Sequence, residues 1–202
     1  MNTVHKPTSF AEVIESFLAH YTAQCWEWNS FPTFGALVQV VDGNKTVFGI
    51  VTDAQTGSID PTRTPFAYKK TEAELQAEQP HIFEFLKTTF TVQVCGYAEH
   101  PHHIIYSIPT NPCKIHAFVS ECDDATVAKF FGSAHFVEVL YGFAQHIPNL
   151  DELLLAILRH LKSRNLLTST LLDDLTQKFA VLSGNDYRRI KVFLSRVELL
   201  IK

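Results

Sequence analysis

Three stretches decide the fold: Phe34-Gly-Ala-Leu-Val-Gln-Val-Val41, Val47-Phe-Gly-Ile-Val-Thr-Asp53 and Phe90-Thr-Val-Gln-Val-Cys-Gly-Tyr97. Each is a short β-branched or aromatic run punctuated by glycine, a composition that favours strands over helices. Asp42-Gly43-Asn44 joins the first two, and Asp-Gly between apolar runs is a strong hairpin signal. Gly35 and Gly49 sit inside the strand patterns, where they suggest bulges or the tight corners of a small barrel. In the third run Phe90, Val92 and Val94 alternate with Thr91 and Gln93, so one face is buried. Ile104-Ile-Tyr-Ser-Ile108 and Ile115-His-Ala-Phe-Val119 are two more short strand candidates.

Working outward, Ser9-Phe-Ala-Glu12 reads as a capping box. Val13, Ile14, Phe17, Leu18 and Tyr21 then recur at helical spacing and predict an amphipathic helix over residues 9–21. Cys25-Trp-Glu-Trp28 and Phe31-Pro-Thr-Phe34 form an aromatic lead-in that packs this helix on the body. Residues 55–65 are turn-rich and predict a surface loop. Thr71-Glu-Ala-Glu-Leu-Gln-Ala-Glu78 has helix-forming composition, and Pro80 ends it. After Cys122 the chain turns helical. Asp123 caps a helix reaching Phe131, and a second covers His135 to Gln145. Asn149 caps a third, with a wide stripe of Leu150, Leu153, Leu154, Ile157, Leu158 and Leu161. Thr170 starts a fourth, closed by Gly184, and the last runs from Asp186. The expected architecture is α+β: residues 1–30 an N-terminal helix and lead-in, 31–119 a small six-stranded closed β-barrel, and 120–202 a helical tail.

The strand residues carry a resemblance. Gly35-x-Leu37-Val38, a hairpin, Phe48-Gly49-Ile50-Val51, a turn-rich loop, a short helix and Val92-x-Val94-x-Gly96-Tyr97 resemble the HAS-barrel family over about residues 31–119. This is the barrel at the N-terminus of HerA-type DNA translocases and of the rotary ATP synthase α and β subunits. The resemblance implies ring assembly and partner docking, with ATP hydrolysis left to a separate domain. This chain has no Gly-x-x-x-x-Gly-Lys-Ser/Thr, and so no loop to cradle phosphates. Gly43-Asn-Lys-Thr46 lies in a hairpin with no following helix and reads as a turn. Any ATPase is therefore expected to be a partner protein.

Bulk composition agrees with a globular protein. Of the 202 residues 46% are hydrophobic and 19% charged, and 16 are Phe, enough apolar surface to offset ordering entropy. The first residues, Met-Asn-Thr-Val-His-Lys-Pro, have no apolar region typical of a secretory leader. No run approaches the roughly 18 apolar residues of a membrane span. A cytoplasmic setting is expected, with Cys25, Cys95, Cys113 and Cys122 as reduced thiols. The net charge of −4 is unevenly spread: residues 150–202 carry nine Lys/Arg against six acids. Arg188, Arg189, Lys191 and Arg196 lie opposite the apolar stripe of the last helix, an interaction surface for phosphates or an acidic partner, or a plain solvated face.

Other chemistry is thinly supported. His100-Pro-His-His103, with Cys113, His116 and Cys122 further on, is the best metal candidate, because clustered imidazoles share transition metals. It lacks the paired spacing of structural zinc, and a polar turn accounts for the same histidines. Gln24-Cys25-Trp26 echoes a cysteine-protease nucleophile, but no glycine-rich context or partner His and Asn can be placed. Glu74 and Glu78 share a helix face, and Glu72 lies nearby, the pattern of a solvated surface. No catalytic residue, cofactor or resident metal is assigned. The expected role is a non-enzymatic assembly or adaptor module that contacts itself or an ATP-driven translocase. The alternatives are a nucleic-acid-associated protein using the basic tail and a metal-dependent enzyme at the histidine cluster.

Overall fold

The computed structural model describes residues 9–62, 64–100 and 103–201, with the backbone alone for His100 and Ile201. Seven strands run β1 Ser9–Ser16, β2 His20–Cys25, β3 Leu37–Asp42, β4 Lys45–Ser58, β5 Leu86–His100, β6 His103–Ile105 and β7 Phe118–Glu121. Six of them close a ring of antiparallel pairs in the order β1–β2–β5–β4–β3–β7 and back to β1. The short β6 is extra and pairs only with β5. The expected six-stranded closed barrel is present, and closure removes the edges that an open sheet would expose.

The predicted N-terminal helix is not. Residues 9–25 form the β1–β2 hairpin, so the barrel begins at Ser9 and not at residue 31. The period that matters is two: Ala11 and Val13 on β1, and Tyr21, Ala23 and Cys25 on β2, are all buried. Ile14, Phe17 and Leu18, which completed the helical pattern, lie exposed at and beside the hairpin tip, where Phe17 stacks on His20. Glu12 does not cap; its carboxylate lies 3.6 Å from the His116 ring. Pairing to β5 and β7 overrides the local helical preference.

Two cores meet across the sheet. The barrel interior holds Val13, Tyr21, Val38, Val40, Val47, Val51, Phe90, Val92, Val94 and Val119. The outer side of β3, β4 and β5 gives Leu37, Phe48, Ile50 and Cys95 to a second core filled by the C-terminal helices. Residues 47–52 are consequently buried on both faces, which explains a near-continuous apolar run. Gly49 sits at a register shift in β4, and a Cβ there would fall 2.3 Å from Val92 Cγ1. Gly35 lies in the turn before β3 with φ +83°, and a Cβ would meet Ala156 and Ile157 at 3.0 Å.

The helices are α1 Glu72–Glu78, α2 Asp124–Phe130, α3 His135–Gly142, α4 Leu150–Ser163, α5 Ser169–Leu182 and α6 Tyr187–Ile201. Asp123 and Asn149 cap as predicted, accepting from the Thr126 and Glu152 amides, whereas α5 is capped by Thr168, which accepts from the Leu171 amide two residues before the expected start at Thr170. The α4 stripe is fully buried, and Phe179 of α5 stacks on Phe193 of α6 at 4.2 Å. Tyr187, the first residue of α6, is exposed. Arg164 at the end of α4 reaches the Cys122 carbonyl at 3.2 Å and the carboxylates of Glu121 and Asp124, tying the helices to the end of β7.

Candidate functional site

The outer half of β4 stays paired with β5 as far as Ser58 opposite Leu86; β2 still flanks β5 to Thr89, so only residues 56–58 with 86–88 project past the barrel as a two-stranded arm. The turn-rich reading of residues 55–65 is therefore corrected, because β4 continues to Ser58. Residues 59–62 and 64–85 lie in an insertion at the tip of this arm. It contains α1, whose Thr71–Glu74 capping box is complete, and a 3-10 turn over Pro80–Phe85. Neither element buries a residue.

That insertion is unusually aromatic for exposed chain. Phe66 is 69% exposed, Phe85 48% and Ile59 49%. Phe66 lies against Tyr68 with ring centres 4.3 Å apart, and Phe83 stacks on Trp28 at 5.4 Å. Phe66, Tyr68, Leu75, Ile82, Phe83 and Phe85 line an open groove of about 450 Å³. The arm is held rigidly beneath it: the Thr88 hydroxyl donates to the Trp28 carbonyl and shares a 2.7 Å hydrogen bond with the Thr56 hydroxyl. A rigid scaffold that presents uncovered aromatic rings has the composition of a protein-binding patch.

The residues singled out from sequence are dispersed. Arg189 and Arg196 do not form a free basic face. Arg189 makes a two-pronged ion pair with Asp151 at 2.6 and 3.1 Å and sits over the Tyr141 and Phe179 rings. Arg196 pairs with Glu152 at 2.6 Å. Hydrogen bonding to these carboxylates raises both guanidinium pKa values and fastens α6 to α4. Arg188 and Lys191 make no ion pair among the described residues. Pro101 and His102 lie outside the described residues, as does the His100 side chain, while His103 is exposed at the start of β6. Among the described residues no cluster of three His, Cys, Asp or Glu side chains is placed to hold a metal.

The thiols are buried rather than poised. Desolvation pushes Cys25 and Cys113 up to about 11, and raises Cys95 and Cys122 further. Glu74 serves the cap of α1, and Glu78 pairs with Lys70, so both carboxylates have local structural partners. Among the described residues no helix is long and apolar enough to cross a membrane. The arm and its groove escaped sequence reading because their apolar residues are scattered among turn-formers. Phe66, Phe83 and Phe85 beside Pro65 and Pro80 were the available signal: large aromatics in segments with no strand or helix period.

No curated protein matches the chain closely enough to serve as a relative. The HAS barrel domain family matches residues 10–100, a span that begins in β1 and ends with β5. The resemblance first carried by β3, β4 and β5 thus extends back through the hairpin mistaken for a helix. Residues 10–100, which carry β1 to β5 but not the closing strand β7, are similar to the HAS barrel domain.

Proposed function

We propose that this chain is a non-enzymatic, cytoplasmic assembly or adaptor module, in which the barrel is the rigid mount and the arm with its insertion is the contact surface. A HAS barrel is a barrel module of larger assemblies. The observation that carries the reading is the exposed aromatic surface of residues 64–85, where Phe66 and Phe85 stand largely in solvent around an open groove. Aromatic anchors in a groove are what protein interfaces concentrate at their centres. The raised thiol pKa values and the local roles of Glu74 and Glu78 also support a binding role over catalysis. The basic tail favours nucleic acid less, because Arg189 and Arg196 are committed to Asp151 and Glu152. An ATP-driven translocase is the partner class that the HAS barrel suggests.

Crosslinking of the full chain in its own cells, read by mass spectrometry, tests this. Crosslinks from residues 59–85 to a P-loop ATPase or to a second copy are the expected result. Crosslinks confined to α6 and nucleic acid, or protein-dependent ATP hydrolysis by the pure chain, would overturn it.

A further inference from the structure

Next to the aromatic groove the chain opens a second, acidic cleft. The segment after β2 and the 3-10 turn Pro80–Phe85 enclose about 490 Å³. Trp26, Trp28, Ile59 and Phe83 supply its apolar walls, and Glu27 and Glu84 line it as exposed carboxylates. Trp26 is 45% exposed even though its ring packs edge-on against Phe118. Phe83 and Leu86 line both the cleft and the groove of Phe66 and Tyr68, so the two are parts of one surface. Among the described residues Glu27 and Glu84 make no ion pair, and Lys87, which also lines the cleft, pairs with neither. Acids outnumber bases by five to three over residues 59–85, so this surface favours a cationic guest.

The outward side of α6 carries the reverse combination. Residues 188, 192, 195 and 199 recur at helical spacing and share one stripe. On it Val192 is 55% and Leu199 74% exposed, while Phe193 and Val197 on the opposite side are buried in the helical core. Arg188 heads the stripe and Lys191 flanks it, and neither makes an ion pair among the described residues. Glu198 is the one acid of α6 and lies toward its other end. The ion pairs of Arg189 with Asp151 and of Arg196 with Glu152 hold the stripe facing outward.

We propose that this stripe of one copy docks on the aromatic cleft and groove of a second copy. Val192 and Leu199 lie against the rings, and Arg188 and Lys191 meet Glu27 and Glu84. The proposal rests on the assembly reading above and names the partner of that surface as the chain itself. A second copy is favoured because one chain carries both halves of a complementary pair and leaves each exposed: a helix with an aliphatic ridge and a basic end, and a groove with aromatic walls and unpaired carboxylates. An amphipathic helix laid in an apolar groove is a recurring mode of recognition, and charges at its margin set register and partner choice. Arg188 suits the site doubly, since a guanidinium stacks on an indole as well as pairing with a carboxylate.

Sedimentation of the full chain over a wide concentration range is the test. The wild type is expected to associate, and less so at high salt. Glu27→Arg with Glu84→Arg should weaken association at least tenfold, and so should Arg188→Glu with Lys191→Glu. All four side chains are exposed, so melting should be unchanged. Mixing the two double variants should restore association, because the untouched α6 of the first meets the untouched cleft of the second. A wild type that stays monomeric, association indifferent to both reversals, or a mixture that stays apart overturns the proposal. Zero-length crosslinking of light and heavy isotope-labelled wild-type chains checks it without any variant. Lys191 should be joined to Glu27 or Glu84 between copies, and its absence from every heavy–light crosslink overturns the pairing. A monomer that still crosslinks to a distinct protein through residues 59–85 would sink this pairing and leave the assembly reading standing.

Discussion

Within β4, residues 47–52 are buried without exception and residues 53–56 are exposed without exception. The strand is continuous and the hydrogen bonding to β5 runs through both halves. What changes is the surroundings. The inner half lies between the barrel interior and the helical layer, so Val47, Phe48, Ile50 and Val51 each reach an apolar core. The outer half has β5 alone, and its side chains are polar. The inner half is fixed between two apolar cores, and the outer half leaves its side chains in solvent.

The largest effect should come from the layer that covers the inner half. Phe130 is fully buried and packs on Phe48 with ring centres 5.6 Å apart. Phe130→Ala is expected to cost about 3–5 kcal/mol and to lower the melting temperature by about 10 °C. A loss under about 1 kcal/mol would mean that the helical layer is not what buries β4. Next comes the strand itself. Gly49→Ala drives a methyl into Val92 in the barrel core and should cost about 2 kcal/mol, read by denaturant unfolding.

A smaller effect is expected at the first helix after the barrel. Hydrogen bonds from Thr126 hold the Asp123 carboxyl below its ordinary value. The cap therefore stabilises the fold above the ordinary aspartate range, about pH 4, and is lost as pH falls through the folded value. Asp123→Ala should cost about 1 kcal/mol near neutrality. The gap to wild type should close under acid conditions; a gap that persists at low pH would assign the effect to something other than the ionised cap. The smallest effect on stability belongs to the outer region. Phe66→Ser should change unfolding by no more than about 0.5 kcal/mol while reducing crosslinking through residues 59–85. A large loss of stability would show that Phe66 is core, not surface.

The same contrast explains what was legible. Residues 34–53 and 90–97 could be read because burial on both faces writes an apolar run into the sequence. Asp123 and Asn149 could be read because a cap needs a short polar side chain at one position. The β1–β2 hairpin could not. Its inward residues Ala11, Val13, Tyr21 and Ala23 are interrupted by a register shift and by apolar residues at the tip. Only the distant partners β5 and β7 decide between the two periods. The exposed groove was least legible of all. Exposed aromatics obey no period.

Closure of the barrel has a consequence for how the chain is made. The last strand, β7, inserts between β1 and β3 and pairs Ala11 with Val119, bringing together residues separated by most of the barrel sequence. A nascent chain that has emerged only as far as β5 holds five strands with the flanks of β1 and β3 unsatisfied. Such long-range pairing is slow, and unpaired flanks invite aggregation. The matched span 10–100, expressed alone, is therefore expected to be a poor folder. Newly synthesised chains should depend on holding factors until residue 121 is free, which ribosome-arrested lengths ending before and after β7 would reveal by their protease resistance.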